Sequence, residues 1–122
     1  MTQTTHARLC LVSTPGPICD ATCATIARIP RARLVAVVSG ALSATQLLPH
    51  THIDLLLLDV NLPGEEVTAL LTWLADHVPG VHKFVARMST AECEQALAFG
   101  ADAAIRRDEL AVKLGMFIAD MV

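Results

Sequence analysis

Residues 53–59 read Ile-Asp-Leu-Leu-Leu-Leu-Asp. Four consecutive leucines between polar residues are typical of a strand that is buried on both faces, as in parallel sheets covered by helices. The stretch is followed at once by Val60-Asn-Leu-Pro63-Gly64, which predicts a turn because proline and glycine interrupt regular structure. The sequence therefore predicts a central parallel strand with Asp59 at its carboxyl end.

Short apolar runs alternate with amphipathic stretches on both sides of this strand. Four further strands are predicted at residues 8–12, 34–38, 81–88 and 101–105. A helix is predicted after each strand, with N-caps at Ser43, at Ser89 or Thr90, and at Asp108. Gly100 is expected to end the fourth helix. Five strands alternating with five helices predict an α/β fold, in which helices cover both faces of one parallel sheet.

The composition indicates a single domain that spans residues 1–122. The chain is 53% hydrophobic and has a formal net charge of -3. Its apolar runs are too short for a membrane span or for a signal-peptide core, so we expect no membrane partner and a cytoplasmic location. Proteins that bind the phosphates of DNA usually carry a cluster of basic residues on one face, and this mildly acidic sequence does not indicate one. Any contact with DNA is therefore expected to come from a separate domain.

The sequence does not favour a metal or nucleotide site. No glycine-rich phosphate loop follows the first strand, where Pro15 and Pro17 remove backbone donors. The four cysteines are interpreted as small buried residues, since no zinc-binding spacing completes Cys19 and Cys23. We expect no resident metal.

Functional residues of an open parallel sheet gather at the carboxyl ends of its strands. The residues predicted there are Ser13, Thr14, Ser39, Asp59, Asn61, the segment Ala86 to Ser89, Arg106 and Arg107. Structural roles compete with functional ones: Asp59 and Asn61 can cap a turn, Ser13 and Thr14 can bond the local backbone, and the arginines can be solvated surface charges.

Two motifs resemble the receiver domain of two-component response regulators. They are Leu55-Leu-Leu-Leu-Asp59-Val-Asn-Leu-Pro63-Gly64 and Gly100-Ala101-Asp102-Ala-Ala-Ile-Arg-Arg107. The ending Arg107-Asp108 is similar to receivers of regulators with a LuxR-type helix-turn-helix output domain. The resemblance covers nearly the whole chain, and it implies a flavodoxin-like three-layer sandwich with strand order 2-1-3-4-5.

The resemblance also implies roles for individual residues. Asp59 occupies the phosphoacceptor position, Asn61 the position whose backbone carbonyl helps to hold magnesium, and Arg107 the position of a lysine that pairs with the phosphoryl group. Ser13 and Thr14 stand where the family has acidic residues that hold the cation.

Two further positions of the family pattern are altered. Ala86 stands where the family has a serine or threonine, although a shifted alignment brings Arg87 there and Ser89 is a more distant candidate. Ala104 replaces the switch aromatic residue. Because aspartyl phosphorylation depends on charges that neutralise the phosphoryl group, magnesium at Asp59 and Asn61 is expected to be weak, and phosphorylation is expected to lack its usual readout.

Three functions are compatible with these observations. The first is an atypical receiver domain: a regulatory and dimerisation module, not an enzyme, that controls a DNA-binding output domain and responds to a small molecule, a partner protein or dimer formation. The second is a conventional receiver that accepts phosphate on Asp59 from a histidine kinase. The third is a flavodoxin-like enzyme or cofactor-binding domain, which the scarcity of aromatic residues and the missing phosphate loop disfavour.

Overall fold

The computed structural model describes residues 5–122, in which five strands alternate with five helices. The strands are β1 (Ala7–Val12), β2 (Ala32–Val38), β3 (Leu55–Leu58), β4 (His82–Arg87) and β5 (Ala103–Arg106). The helices are α1 (Pro17–Ala27), α2 (Ala41–Leu47), α3 (Gly64–His77), α4 (Thr90–Ala98) and α5 (Leu110–Met121), and short 3-10 segments lie at Leu48–His50 and Arg107–Glu109.

All five strands are parallel and lie in the order β2-β1-β3-β4-β5. This confirms the predicted α/β fold and the strand order that the family resemblance implied. The four leucines of β3 are fully buried and pair with β1 on one side and β4 on the other. The leucine run therefore forms the middle of the sheet, as predicted.

The sheet separates two apolar clusters, because successive side chains of a strand point to opposite faces. Leu56, Leu58 and Val85 pack with α2, α3 and α4 on one face. Leu55 and Leu57 pack with α1 and α5 on the other face, together with Phe84 and Ala86. Three layers result, and the loops that follow the strands lie at the carboxyl edge of the sheet.

The predicted helix caps are partly correct. Ser89 is the N-cap of α4, where its hydroxyl accepts a hydrogen bond from the backbone N-H of Glu92 at 3.2 Å. The prediction for Ser43 is wrong, since this residue lies inside α2. Asp108 lies in a 3-10 segment, and α5 begins after Glu109 with no side-chain cap.

A residue from another helix caps α2. The Glu66 carboxylate in α3 accepts a hydrogen bond from the backbone N-H of Ala41 at 2.7 Å. The N-cap position is Gly40, and a Cβ built there would lie 2.9 Å from Glu66 Oε2. Because the carboxylate comes from a residue 25 positions away, sequence periodicity could not reveal it.

The motif Gly100-Ala101-Asp102 forms the turn that leads into β5. Gly100 has a φ of +108°, in the left-handed region that glycine adopts without strain. The Asp102 carboxylate accepts a hydrogen bond from the backbone N-H of Lys83 at 2.7 Å, and its own N-H donates to the Lys83 carbonyl at 2.8 Å. The strand consequently begins at Ala103, two residues later than predicted.

The cysteines are free thiols, of which Cys10, Cys19 and Cys93 are buried and Cys23 is half-buried. Burial raises the pKa of the Cys10 thiol to about 11. These three buried side chains confirm the interpretation of cysteine as a small core residue. Within residues 5–122, no helix is long and apolar enough to span a bilayer.

Candidate functional site

The strand register brings Ser13, Asp59 and Ala86 together at the carboxyl edge of the sheet. Val12 pairs with Leu58, and Leu58 pairs with Val85. The next residue of each strand therefore lies beside the next residue of its neighbour, with Asp59 in the middle.

Asp59 is a fully buried carboxylate that accepts hydrogen bonds on both oxygens. Oδ2 accepts from the hydroxyl of Ser13 at 2.8 Å, and Oδ1 accepts from the backbone N-H of Val60 at 2.8 Å. Ser13 is itself only 1% exposed. Asp59 does bond its own turn, as the structural alternative predicted, but it also joins β1 to β3.

The side chain of Asn61 ties the loop after β3 to the loop after β1. Its Oδ1 accepts from the backbone N-H of Thr14 at 3.2 Å, and its Nδ2 donates to the Thr14 carbonyl at 3.1 Å. The same Nδ2 donates to the Ser13 hydroxyl at 3.0 Å. We call Ser13, Thr14, Asp59 and Asn61 the edge network. The Ser13 hydroxyl donates to Asp59, 46 residues away, rather than to the local backbone.

Strand alternation decides between Ala86 and Arg87 as neighbours of the edge network. Ala86 belongs to the cluster beneath α1 and α5, on the same face as Leu57. The Arg87 guanidinium lies on the opposite face, where it donates to the Leu62 carbonyl at 2.9 Å and to a Glu92 carboxylate oxygen at 3.2 Å. The shifted alignment that brings Arg87 beside Asp59 is therefore wrong, because the side chain points the other way.

Ser39 follows β2, and its hydroxyl lies 3.3 Å from the Ser43 hydroxyl. Ala104, Arg106 and Arg107 lie on or just after β5. Ala104 pairs with Val85 and is packed against the cluster beneath α2, α3 and α4. Arg106 is exposed and forms ion pairs with Asp108 at 3.5 Å and Glu109 at 3.2 Å. Arg107 is half-buried, and its Nε is buried and has no hydrogen-bond partner within residues 5–122.

The edge network does not fit the magnesium ion that the family resemblance implies. Magnesium takes six oxygen ligands in near-octahedral geometry and commonly uses one or two carboxylates. Asp59 is the one carboxylate in the network, and the Ser13 proton is directed at its Oδ2. No group of three or more His, Cys, Asp or Glu side chains within the described residues could hold a metal.

No protein-family model and no curated protein matches the sequence. Solved structures do match it. One is the response regulator RcsB of Salmonella typhimurium, with a TM-score of 0.80 and 14% identity over 96% of this chain and 60% of that chain. A LuxR-family two-component response regulator from Aurantimonas has a TM-score of 0.82 and 21% identity over 96% of this chain and 85% of that chain.

A third match is the signal receiver domain of the response regulator NarL from Mycobacterium tuberculosis. It has a TM-score of 0.80 and 15% identity over 96% of each chain. The chain thus spans nearly the whole of an isolated receiver domain but only 60% of the RcsB chain. At these identities the likeness concerns the fold, and residues 5–122 have the fold of response-regulator receiver domains.

Proposed function

We propose that this chain is an atypical receiver domain that serves as a signalling and dimerisation module with a degenerate phosphorylation site. It controls a separate DNA-binding output domain and has no catalytic activity of its own. The fold supports a receiver, and one of the similar structures is a complex of RcsB with DNA. The net charge of -3 supports DNA contact through another domain.

The observation that carries the proposal is the state of Asp59. Phosphoryl transfer to a carboxylate requires an oxygen that reaches the donor phosphorus and cations that neutralise the transferred charge. Here the carboxylate is 0% exposed and both of its oxygens accept hydrogen bonds. Ser13 and Thr14 supply no negative charge to attract a cation.

The expected readout of a phosphoryl group is also missing. A methyl group at Ala86 donates no hydrogen bond to an anion beside Asp59, although the register places it there. Ala104 has no ring that could move between two packed positions. A signal at Asp59 would therefore reach neither strand β4 nor strand β5 by these side chains, so another input must act: a small molecule, a partner protein or dimer formation itself.

Phosphorylation of the intact chain tests the proposal. The protein is incubated with acetyl phosphate and Mg²⁺, and its mass is measured beside an established receiver domain treated in parallel. We expect no phosphorylated species. Stoichiometric phosphorylation that is lost in Asp59→Asn would overturn the proposal and establish a conventional receiver.

One observation favours that conventional receiver as the second candidate. The buried Nε of Arg107 is a cationic donor without a partner in the described part of the chain, and an anion at the carboxyl edge would satisfy it. Labelling that also falls in Arg107→Ala would support this role. Equal labelling of wild type and Arg107→Ala would leave the arginine without a part in phosphoryl binding.

The dimerisation part of the proposal has its own measurement. Sedimentation equilibrium of the 122-residue chain, with and without acetyl phosphate and Mg²⁺, is expected to show a dimer whose dissociation constant does not change on treatment. A monomer under both conditions would contradict the proposed dimerisation role. A dimer that forms only after treatment would support the conventional receiver.

A further inference from the structure

Arg87 is a charged side chain buried at the end of β4, where it is only 7% exposed. Its Nη1 donates to the backbone carbonyl of Leu62 at 2.9 Å, in a buried contact. Its Nη2 donates to Oε2 of Glu92 at 3.2 Å. One guanidinium therefore bonds two segments that are 30 residues apart in the sequence.

The two segments are the loop that follows Asp59 and the first turn of α4. Leu62 lies between Asp59 and α3, and its own N-H donates to the Asp59 carbonyl at 3.3 Å. Glu92 is further held by the Ser89 hydroxyl, which donates to Oε1 at 3.1 Å while it accepts from the Glu92 N-H. The guanidinium thus joins the loop beside the edge network to the start of α4, which Ser89 caps.

We propose that Arg87 is a positioning residue that holds the loop after β3 and the start of α4 in one arrangement, whether or not any group is attached at Asp59. This inference rests on the proposed function, since it explains how the carboxyl edge keeps one conformation when no phosphoryl group links its loops. The bonds of Arg87 to Leu62 and Glu92 join the loop after β3 to α4 without a phosphoryl group.

The chemistry of arginine suits this position. A guanidinium presents several donors in a rigid plane and can bond a carbonyl and a carboxylate at the same time. A lysine ammonium at the end of a flexible stem lacks this planar geometry. Loss of the side chain would leave the buried Leu62 carbonyl without its donor, which favours local opening of the loop.

Hydrogen exchange followed by mass spectrometry tests the inference. Arg87→Met retains an aliphatic stem, and amide exchange in residues 60–66 and 88–94 of this variant is expected to rise by roughly tenfold. The reason is that loss of a hydrogen bond to a charged group raises the equilibrium constant for local opening by about tenfold or more. Exchange in β1 and β2 is expected to stay at the wild-type rate. Unchanged exchange in both segments, or an equal rise throughout the sheet, would overturn the inference.

Arg106→Met provides the matched control. Arg106 pairs with Arg87 across β4 and β5, but its side chain is exposed and bonds only Asp108 and Glu109 among the described residues. This variant is expected to leave both segments protected. A rise equal to that of Arg87→Met would show that any arginine at this end of the sheet has the same effect, which contradicts the inference.

Two milder variants keep the test decisive if Arg87→Met does not fold. Glu92→Gln is expected to raise exchange at the start of α4 and to spare the loop, because the Leu62 contact remains. Arg87→Lys is expected to raise exchange in at least one segment, and full protection of both would overturn the inference. Since these measurements use no phosphoryl donor, their failure is distinguishable from a failure of the labelling experiment.

Discussion

Removal of the Ser13 hydroxyl is expected to lower the free energy of unfolding by about 2 kcal/mol, because a buried hydrogen bond to a charged group contributes about 1.5–3 kcal/mol. The hydroxyl donates to the fully buried Asp59 carboxylate at 2.8 Å and accepts from Asn61 Nδ2 at 3.0 Å. In Ser13→Ala the carboxylate keeps only the Val60 N-H among the partners in the structure. For a domain of this size, the loss corresponds to a decrease in Tm of about 8 °C.

Urea unfolding is the assay, followed by circular dichroism and by fluorescence of Trp73, the single tryptophan. Thr14→Ala is the control, since Thr14 joins the edge network through its backbone N-H and carbonyl. We expect this control to remain within about 0.5 kcal/mol of wild type. If Ser13→Ala also remained within that range, the Asp59 carboxylate would be solvated. Asp59 would then not be the buried, hydrogen-bonded carboxylate on which the proposed function rests.

Two further predictions concern helix starts. Glu66→Ala is expected to lower the free energy of unfolding by about 1 kcal/mol, since it removes the acceptor that caps α2. Glu65→Ala is the control, because Glu65 has no such bond in the described structure. Equal urea midpoints for the two variants would contradict this prediction. Hydrogen bonds from Ser89 and then Arg87 hold the pKa of Glu92 below its ordinary value of 4.5. A lowered pKa adds stability above the unfolded-state pKa, and this stability is lost as the pH falls through the folded-state value. The acid limb of Tm against pH should therefore be shallower in Glu92→Gln, and identical limbs would refute the assignment.

The elements of the fold were predictable because their signals are local. The leucine run of residues 55–58 predicts a strand buried on both faces, and in the structure an apolar cluster covers each face of β3. Gly100 and Ser89 marked helix boundaries through backbone conformation and capping, which depend on only a few neighbouring residues. The error at Ser43 has the opposite origin, since the acceptor that begins α2 comes from α3.

The sequence predicts which residues lie at the candidate site, but it does not predict the hydrogen bonds between them. Asp59, Ser13 and Asn61 were all expected at the carboxyl edge, because parallel strands end there. That the serine would donate to the aspartate was not expected, since the two lie 46 residues apart and meet only through the register of β1 and β3. The sequence indicates Arg87 only as an alternative neighbour of Asp59, because the face of the sheet on which this side chain lies depends on the exact end of β4.

The amino-acid sequence by itself determined the alternation of strands and helices, the burial of β3 and the carboxylate at its end, because hydrophobic periodicity and turn residues act over short distances. Tertiary structure alone decided that the Asp59 carboxylate accepts a hydrogen bond from the Ser13 hydroxyl, and that the buried Arg87 guanidinium joins the loop after β3 to the first turn of α4. Both outcomes need side chains from separate strands at hydrogen-bond distance, and only the assembled sheet sets that distance.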